Sequence, residues 1–162
     1  MTSFETVLYN LSAIFLYPAM AAILLALGYA VFSLGAFMLD HFLRRRADYR
    51  SPLFLYFRET AALSDDLELW IMRRLELLRM TSRISPLLGL VATLIPMGPA
   101  LLALTENDAA SVGKNMVVAF AGVTLALIAA SIAFFVLNVR RRWLFEELRD
   151  IEKNHMQAGG EG

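Results

Sequence analysis

Ser33, Ser85, Thr93, Thr124 and Ser131, with Asn138, are the polar side chains that interrupt long apolar stretches of this sequence. A hydroxyl both donates and accepts a hydrogen bond, which suits a hydrated path through an apolar layer. Thr124, Ser131 and Asn138 follow one another at seven-residue spacing and so share one face of a helix. The competing reading is local, because buried Ser and Thr often bond carbonyls of their own helix. Pro96 and Pro99 add backbone chemistry: each lacks an N–H, which frees the carbonyls of Ala92 and Ile95. Such breaks are tolerated where protein or water satisfies the groups again. They mark either a kinked helix beside a hydrated path or a structural kink alone.

No catalytic set accompanies these residues. His41 and His155 stand in charged segments without a carboxylate or cysteine cluster, which reads as solvated or interfacial histidine. There is no glycine-rich phosphate loop and no metal-ligand spacing. The absence of cysteine excludes a thiolate nucleophile, a disulfide framework and a cysteine zinc site. The sequence therefore points away from an enzyme and implies no cofactor and no metal.

The elements that carry the polar residues are membrane spans. Fifteen basic and fifteen acidic residues cancel in a chain of 162 residues that is 58% hydrophobic. None of these charges falls between Glu5 and Asp40, from Ile84 to Thr105, or from Asn115 to Val139. About 20 apolar residues cross the hydrocarbon core as a helix, so each stretch is long enough. The fold class is an all-α integral membrane protein with three transmembrane helices. The first apolar run lacks a basic N-terminal flank and is too long for a cleavable signal.

The expected organisation begins with an amphipathic interfacial helix over residues 1–17, on which Phe4, Val7, Leu8, Leu11 and Phe15 recur at helical spacing. Pro18 then suits the first turn of a span over 18–39. A charged connection over 40–83 precedes the second span, 84–104. A link over 105–116 leads to the third span, 117–139, and a cytoplasmic helix with a disordered tail fills 140–162. Leu63, Leu67, Ile71, Leu75 and Leu78 make one apolar face before the second span. Leu144, Leu148 and Ile151 make another after the third, so both spans are expected to continue as helices that pack through these stripes. Within the spans, Gly89, Ala92 and Pro96 lie in one stripe of small residues, and Gly122 and Ala126 in another. In lipid, helices associate by close backbone contact at small residues, within or between subunits.

From Pro86 the residues Pro86-Leu87-Leu88-Gly89-Leu90-Val91-Ala92-Thr93-Leu94 resemble the P-x-L-G-L-x-G-T-V segment of the MotA/TolQ/ExbB proton-channel family. The continuation Ile95-Pro96-Met97-Gly98-Pro99-Ala100-Leu101, and Asn138 followed by Arg140-Arg141-Arg142-Trp143, resemble a branch of small members. The resemblance covers roughly residues 67–150. It implies a homopentamer in the inner (cytoplasmic) membrane, enclosing a single-span partner of the ExbD/TolR/MotB type that supplies the proton-carrying aspartate. It also implies an ion pathway at Thr93, Thr124 and Ser131. Thr93 matches the second-span threonine of the family. Ala92 replaces a glycine, Val123 stands where the third-span threonine is expected, and Ala126 replaces the glycine after it. The alternative is a non-conducting oligomeric scaffold built on the same fold.

Basic residues next to spans resist translocation and mark the cytoplasmic side. Nine flank the spans in the first connection and five follow the third, against Lys114 alone in the second link. This distribution also explains the arginine runs as topology anchors rather than nucleic-acid contacts. It places the N-terminus outside and the C-terminus in the cytoplasm. A cysteine introduced beside Asp108 should therefore react with an impermeant thiol reagent added to intact cells, and one beside Asp48 should not. The opposite labelling would invert the topology.

Overall fold

A computed structural model describes residues 3–43 and 64–159. They form three helices: α1 (Ser3–Leu43), α2 (Ser64–Thr105) and α3 (Ala109–Gly159). Arg44, Arg45, Arg46, Arg50, Arg58 and Leu63 lie outside the described residues, as do the side chains of Phe4, Leu8, Leu11 and His155. All three helices are long and apolar enough to cross a membrane, and the described residues contain no strand.

At about 1.5 Å per residue, the 42 residues of α2 reach roughly 63 Å, twice the ~30 Å hydrocarbon core. Both α2 and α3 therefore extend well beyond the membrane. Their buried residues show how the two are joined. On α2, Ile71, Leu75, Leu78, Ser85, Gly89, Ala92 and Pro96 are buried, and on α3 Ala119, Gly122, Ala126, Ala129, Ala133 and Val136. The steps are alternately three and four residues, or seven across a gap. This is the repeat of a left-handed coiled coil, here between antiparallel helices.

The residue sizes change along this coil. Outside the spans, Leu67, Ile71, Leu75 and Leu78 close against Leu144, Leu148 and Ile151 in one cluster, each at most 9% exposed. Removing such a side chain from water stabilises the fold by about 1.5–3 kcal/mol. Inside the spans that driving force is missing, and the seam is built of glycine and alanine. A Cβ placed on Gly89 would lie 2.9 Å from the Ala126 Cβ, and one on Gly122 would lie 2.9 Å from the Ala92 Cβ. The two small-residue stripes thus meet each other within one chain.

A turn of three residues closes the hairpin, so α3 begins well before the end of the expected 105–116 link. Asn107 adopts the left-handed conformation (φ 58°), which asparagine tolerates better than most residues. The Asp108 N–H donates to the Ala103 carbonyl (2.9 Å) and the Asn107 N–H to that of Leu104 (3.3 Å). This pair of bonds is a Schellman cap on α2. Asp108 then caps α3, accepting a bond from the Ser111 N–H at 3.1 Å. Bonds from the Ser111 hydroxyl and then its N–H hold the Asp108 carboxyl below the usual carboxylate range. The cap is therefore present above that range and lost as pH falls through the lowered pKa.

α1 runs unbroken through Pro18, which lies in its interior rather than at a first turn. Only one intrahelical bond is lost there, that to the Ile14 carbonyl, and fifteen residues of helix precede it. Ile23 is buried with Ala92 and Ala126, with Met20, Leu88 and Leu125 packed around them. Further along α1, Phe37 stacks on Trp143 (5.1 Å between centroids) and meets Phe135 edge-on. His41 stacks on the same indole at 5.8 Å. Arg140 donates to Asp40 at 2.8 Å, so the C-terminal ends of the first and third spans lie on the same side of the membrane. The partly exposed pair contributes about 1 kcal/mol or less. At the other end of the chain, Gln157–Gly159, expected to be irregular, continue α3. Helix propagation costs little once a long helix is formed.

Gly89→Leu should push α2 from α3 and destabilise the chain itself, at about 1–3 kcal/mol for an overpacked contact. Gly113→Leu, where nothing lies within 4 Å of the added Cβ, should be close to neutral. Unfolding of the purified protein in mixed detergent measures both. Equal stability of the two variants would remove the close contact from the account of the fold.

Candidate ion-pathway face

The antiparallel contact gives the hairpin two flanks. α1 covers one of them, where Leu88 and Leu125 pack against it at one level and Phe135 and Trp143 at another. On α2, the opposite flank carries Leu90, Thr93 and Met97, which follow Gly89, Ala92 and Pro96 by one residue and so turn about 100° from them. On α3 the outward residues on that side include Leu127, Phe134 and Asn138, all exposed. Arg83 of α2 and Asn138 of α3 line one cavity, which fixes these surfaces on the same side of the hairpin. α1 leaves this side uncovered.

Of the hydroxyls in the apolar stretches, Thr93 belongs to this flank. Thr124 and Ser131 stand two residues from the seam positions on either side and so lie on the back of α3. Thr93 is partly exposed, and Thr124 and Ser131 are exposed. Gly89 opposite Ala126 and Ala92 opposite Gly122 set the register, so Thr93 and Thr124 lie at nearly the same depth. Ser131 follows two turns closer to the arginine end of α3, and Asn138 two turns further.

Their hydrogen bonds are local. The Thr93 hydroxyl donates to the Leu90 carbonyl at 2.8 Å, and Ser131 donates to Leu127 at 2.8 Å. Asn138 donates from its amide nitrogen to the Phe134 carbonyl at 2.9 Å. Thr93 thus does not use the Ala92 carbonyl that Pro96 leaves without a donor. α2 instead continues as helix through Pro86, Pro96 and Pro99. With the donor turned back into its own helix, a hydroxyl presents lone pairs to whatever stands in front of it. Such a group accepts a hydrogen bond from water or from a protonated carboxylic acid, and offers no donor to a carboxylate.

The remaining polar positions are placed differently. Ser85 is 1% exposed in the α2–α3 seam, and its Oγ has no hydrogen-bond partner among the described residues. Ser33 is buried on α1. Val123 is at the seam, its Cα and Cγ2 each 3.4 Å from where a Cβ on Gly89 would stand. Thr124 is turned outward from it. Sequence reasoning found the hydroxyls but not the cluster of Arg79, Arg83 and Arg141 that lines the cavity beside Asn138. Its signal was present in part, since Arg79 and Arg83 are one turn apart on α2. Bringing Arg141 to them requires the register of the hairpin.

These features define a multi-pass, all-α membrane protein whose antiparallel hairpin is shielded by a third helix on one side and carries the Thr93 hydroxyl on the other. The MotA/TolQ/ExbB proton channel family matches residues 57–153, more than half of the chain, and the chain belongs to that family. The match takes in the α2–α3 seam and the whole uncovered face, while α1 lies outside it. No curated protein and no solved structure matches the chain.

The closed position of Ser85 separates it from the exposed hydroxyls. Leaving a buried hydroxyl unpaired costs about 1–3 kcal/mol, so Ser85→Ala should leave stability unchanged or raise it. A clear loss of stability on unfolding in mixed detergent would mean that the hydroxyl has a partner the seam does not reveal.

Proposed function

We propose that this chain is the channel or stator subunit of an ion-driven, most simply proton-driven, energy-transducing complex. In this reading it forms a homopentamer in the inner membrane, N-terminus outside and C-terminus cytoplasmic. The pentamer encloses a single-span membrane protein of the ExbD/TolR/MotB type. The observation that carries the proposal is the family hairpin with one side left uncovered by α1, with the Thr93 hydroxyl on that side and those of Thr124 and Ser131 exposed on the back of α3.

The chemistry of that side supports a division of labour. The apolar stretches of this chain hold no carboxylate, and a proton relay across a membrane ordinarily needs a titrating group. A partner aspartate would supply it. Facing Thr93, that aspartate finds lone pairs and no free hydroxyl donor, an environment that favours its protonated, neutral form. Water or an opening of the Thr93–Leu90 bond would be needed to stabilise the carboxylate. Work is then extracted as the ring and the partner move relative to each other, with no bond made or broken by this chain. It is not an enzyme in this reading and requires no cofactor.

Apolar area argues for assembly. In no helix is more than 33% of the most apolar window buried within the single chain. The rest faces lipid, the partner or neighbouring copies. The seam residues Gly89, Ala92, Gly122 and Ala126 are occupied within the hairpin, so contacts between copies fall to other faces. A second reading, a scaffold that keeps the ring and has lost conduction, draws on Val123, which sits at the third-span position the family fills with threonine.

Thr93→Val keeps the side-chain shape and removes the lone pairs. In proteoliposomes containing the chain and its presumed partner, it should abolish ion flux while the complex keeps its mass. Thr124→Val should have a milder effect. Undiminished flux after Thr93→Val would end the pathway assignment. If the unmodified complex carries no flux, the scaffold reading takes its place.

A further inference from the structure

The uncovered side of the hairpin contains a cavity of about 510 Å³ where the spans meet the charged segments. Arg79 and Arg83 reach it from α2, and Arg141 from α3. Arg83 immediately precedes the charge-free stretch that starts at Ile84, and Arg141 lies two residues past the end of the other at Val139. Phe134 and Leu137, from within the third apolar stretch, provide its apolar wall. The cavity therefore combines three cationic side chains with an apolar wall at the membrane boundary.

Among the described residues, no acidic side chain lines it. The ion pairs among the described residues are Arg140 with Asp40 and Arg142 with Glu146, so they use the neighbours of Arg141 and none of the three cavity arginines. Arg141 has an aromatic contact, its guanidinium carbon 5.7 Å from the Phe145 ring centre. Three guanidinium groups sharing a cavity repel one another unless an anion stands among them. Planar guanidinium groups bind phosphate oxygens through paired N–H donors.

We propose that this cavity binds the headgroup of an anionic phospholipid, its phosphate among Arg79, Arg83 and Arg141 and its acyl chains along Phe134 and Leu137. The two remaining polar side chains narrow the headgroup. Ser82 donates its hydroxyl to the Arg79 carbonyl, and Asn138 donates its amide N–H to that of Phe134. Each keeps an acceptor oxygen outside that bond, and such acceptors suit a hydroxylated headgroup such as glycerol. Choline has no donor to offer them, and its positive charge meets the arginines. A lipid suits this place better than a soluble anion because Phe134 and Leu137, which form its apolar wall, belong to a span.

The site does not depend on whether the chain conducts ions, and its test measures no flux. The purified full-length protein is exchanged into detergent with phosphatidylglycerol, phosphatidylcholine or inorganic phosphate, and bound lipid is counted by native mass spectrometry. Phosphatidylglycerol should be retained about tenfold or more over phosphatidylcholine. Combined Arg79→Gln, Arg83→Gln and Arg141→Gln should remove most of that preference. Replacing the same three residues by lysine should keep much of it, and Arg142→Gln should change nothing. Equal retention of the two lipids by the unmodified protein overturns the proposal whether or not the variants fold. So does a preference that survives the glutamine substitutions. Displacement of phosphatidylglycerol by millimolar inorganic phosphate would make this a site for free anions, and displacement by an oligoglutamate peptide would make it a protein-docking site. Either result rejects the lipid assignment.

Discussion

Close backbone approach between α2 and α3 is the contact on which the rest of this protein depends. Gly89 against Ala126 and Ala92 against Gly122 leave no room for a further carbon atom. This fit replaces the hydrophobic effect in the one region where lipid removes it. The same seven-residue repeat continues beyond the membrane, where leucine and isoleucine take over because water is again the competing solvent. One geometry thus serves two solvents, with residue size as the adjusted variable. α1 then rests on one flank of a hairpin that is already formed.

From that seam follows the distribution of polar groups. Once the small-residue stripes are used within the chain, every side chain a quarter turn away is assigned either to the α1 flank or to the uncovered one. Thr93 and the three cavity arginines share the uncovered flank, and Thr124 and Ser131 face outward from the back of α3. Ser85, in the seam itself, is withdrawn from solvent, lipid and partner alike. The hydroxyl chemistry of the spans is therefore determined by residues that contain no polar side chain.

Much of this was legible in the sequence because the signals are strong and local. Charge-free stretches of span length, the apolar stripes at Leu67–Leu78 and Leu144–Ile151, and the ordered run from Pro86 to Leu94 each follow from residue type and spacing. The length of α1 was less visible, because Pro18 looks like a helix start and only the continuing helix on both sides shows otherwise. Within the 105–116 link the turn itself occupies three residues, because the polar residues after Asp108 do not break a helix that Asp108 has capped. Register was not legible at all. Two stripes of small residues say that each helix has a close-contact face, but not that the faces belong to each other. That pairing decides that Arg79 and Arg83 meet Arg141, and that Val123 rather than Thr124 approaches Gly89.

The turn at Glu106–Asp108 has a mechanical consequence. Both ends of it are capped by hydrogen bonds within three residues, so there is no slack between α2 and α3, and α3 contains no proline along its 51 residues. α3 is in effect a stiff rod that crosses the bilayer boundary. A tilt of about 5° at the level of Thr93 moves a point roughly 30 Å further along the helix by nearly 3 Å. A displacement imposed beside the hydroxyls would therefore arrive enlarged at the leucine-rich end, on the far side of the bilayer boundary, without any chemical signal having to travel there.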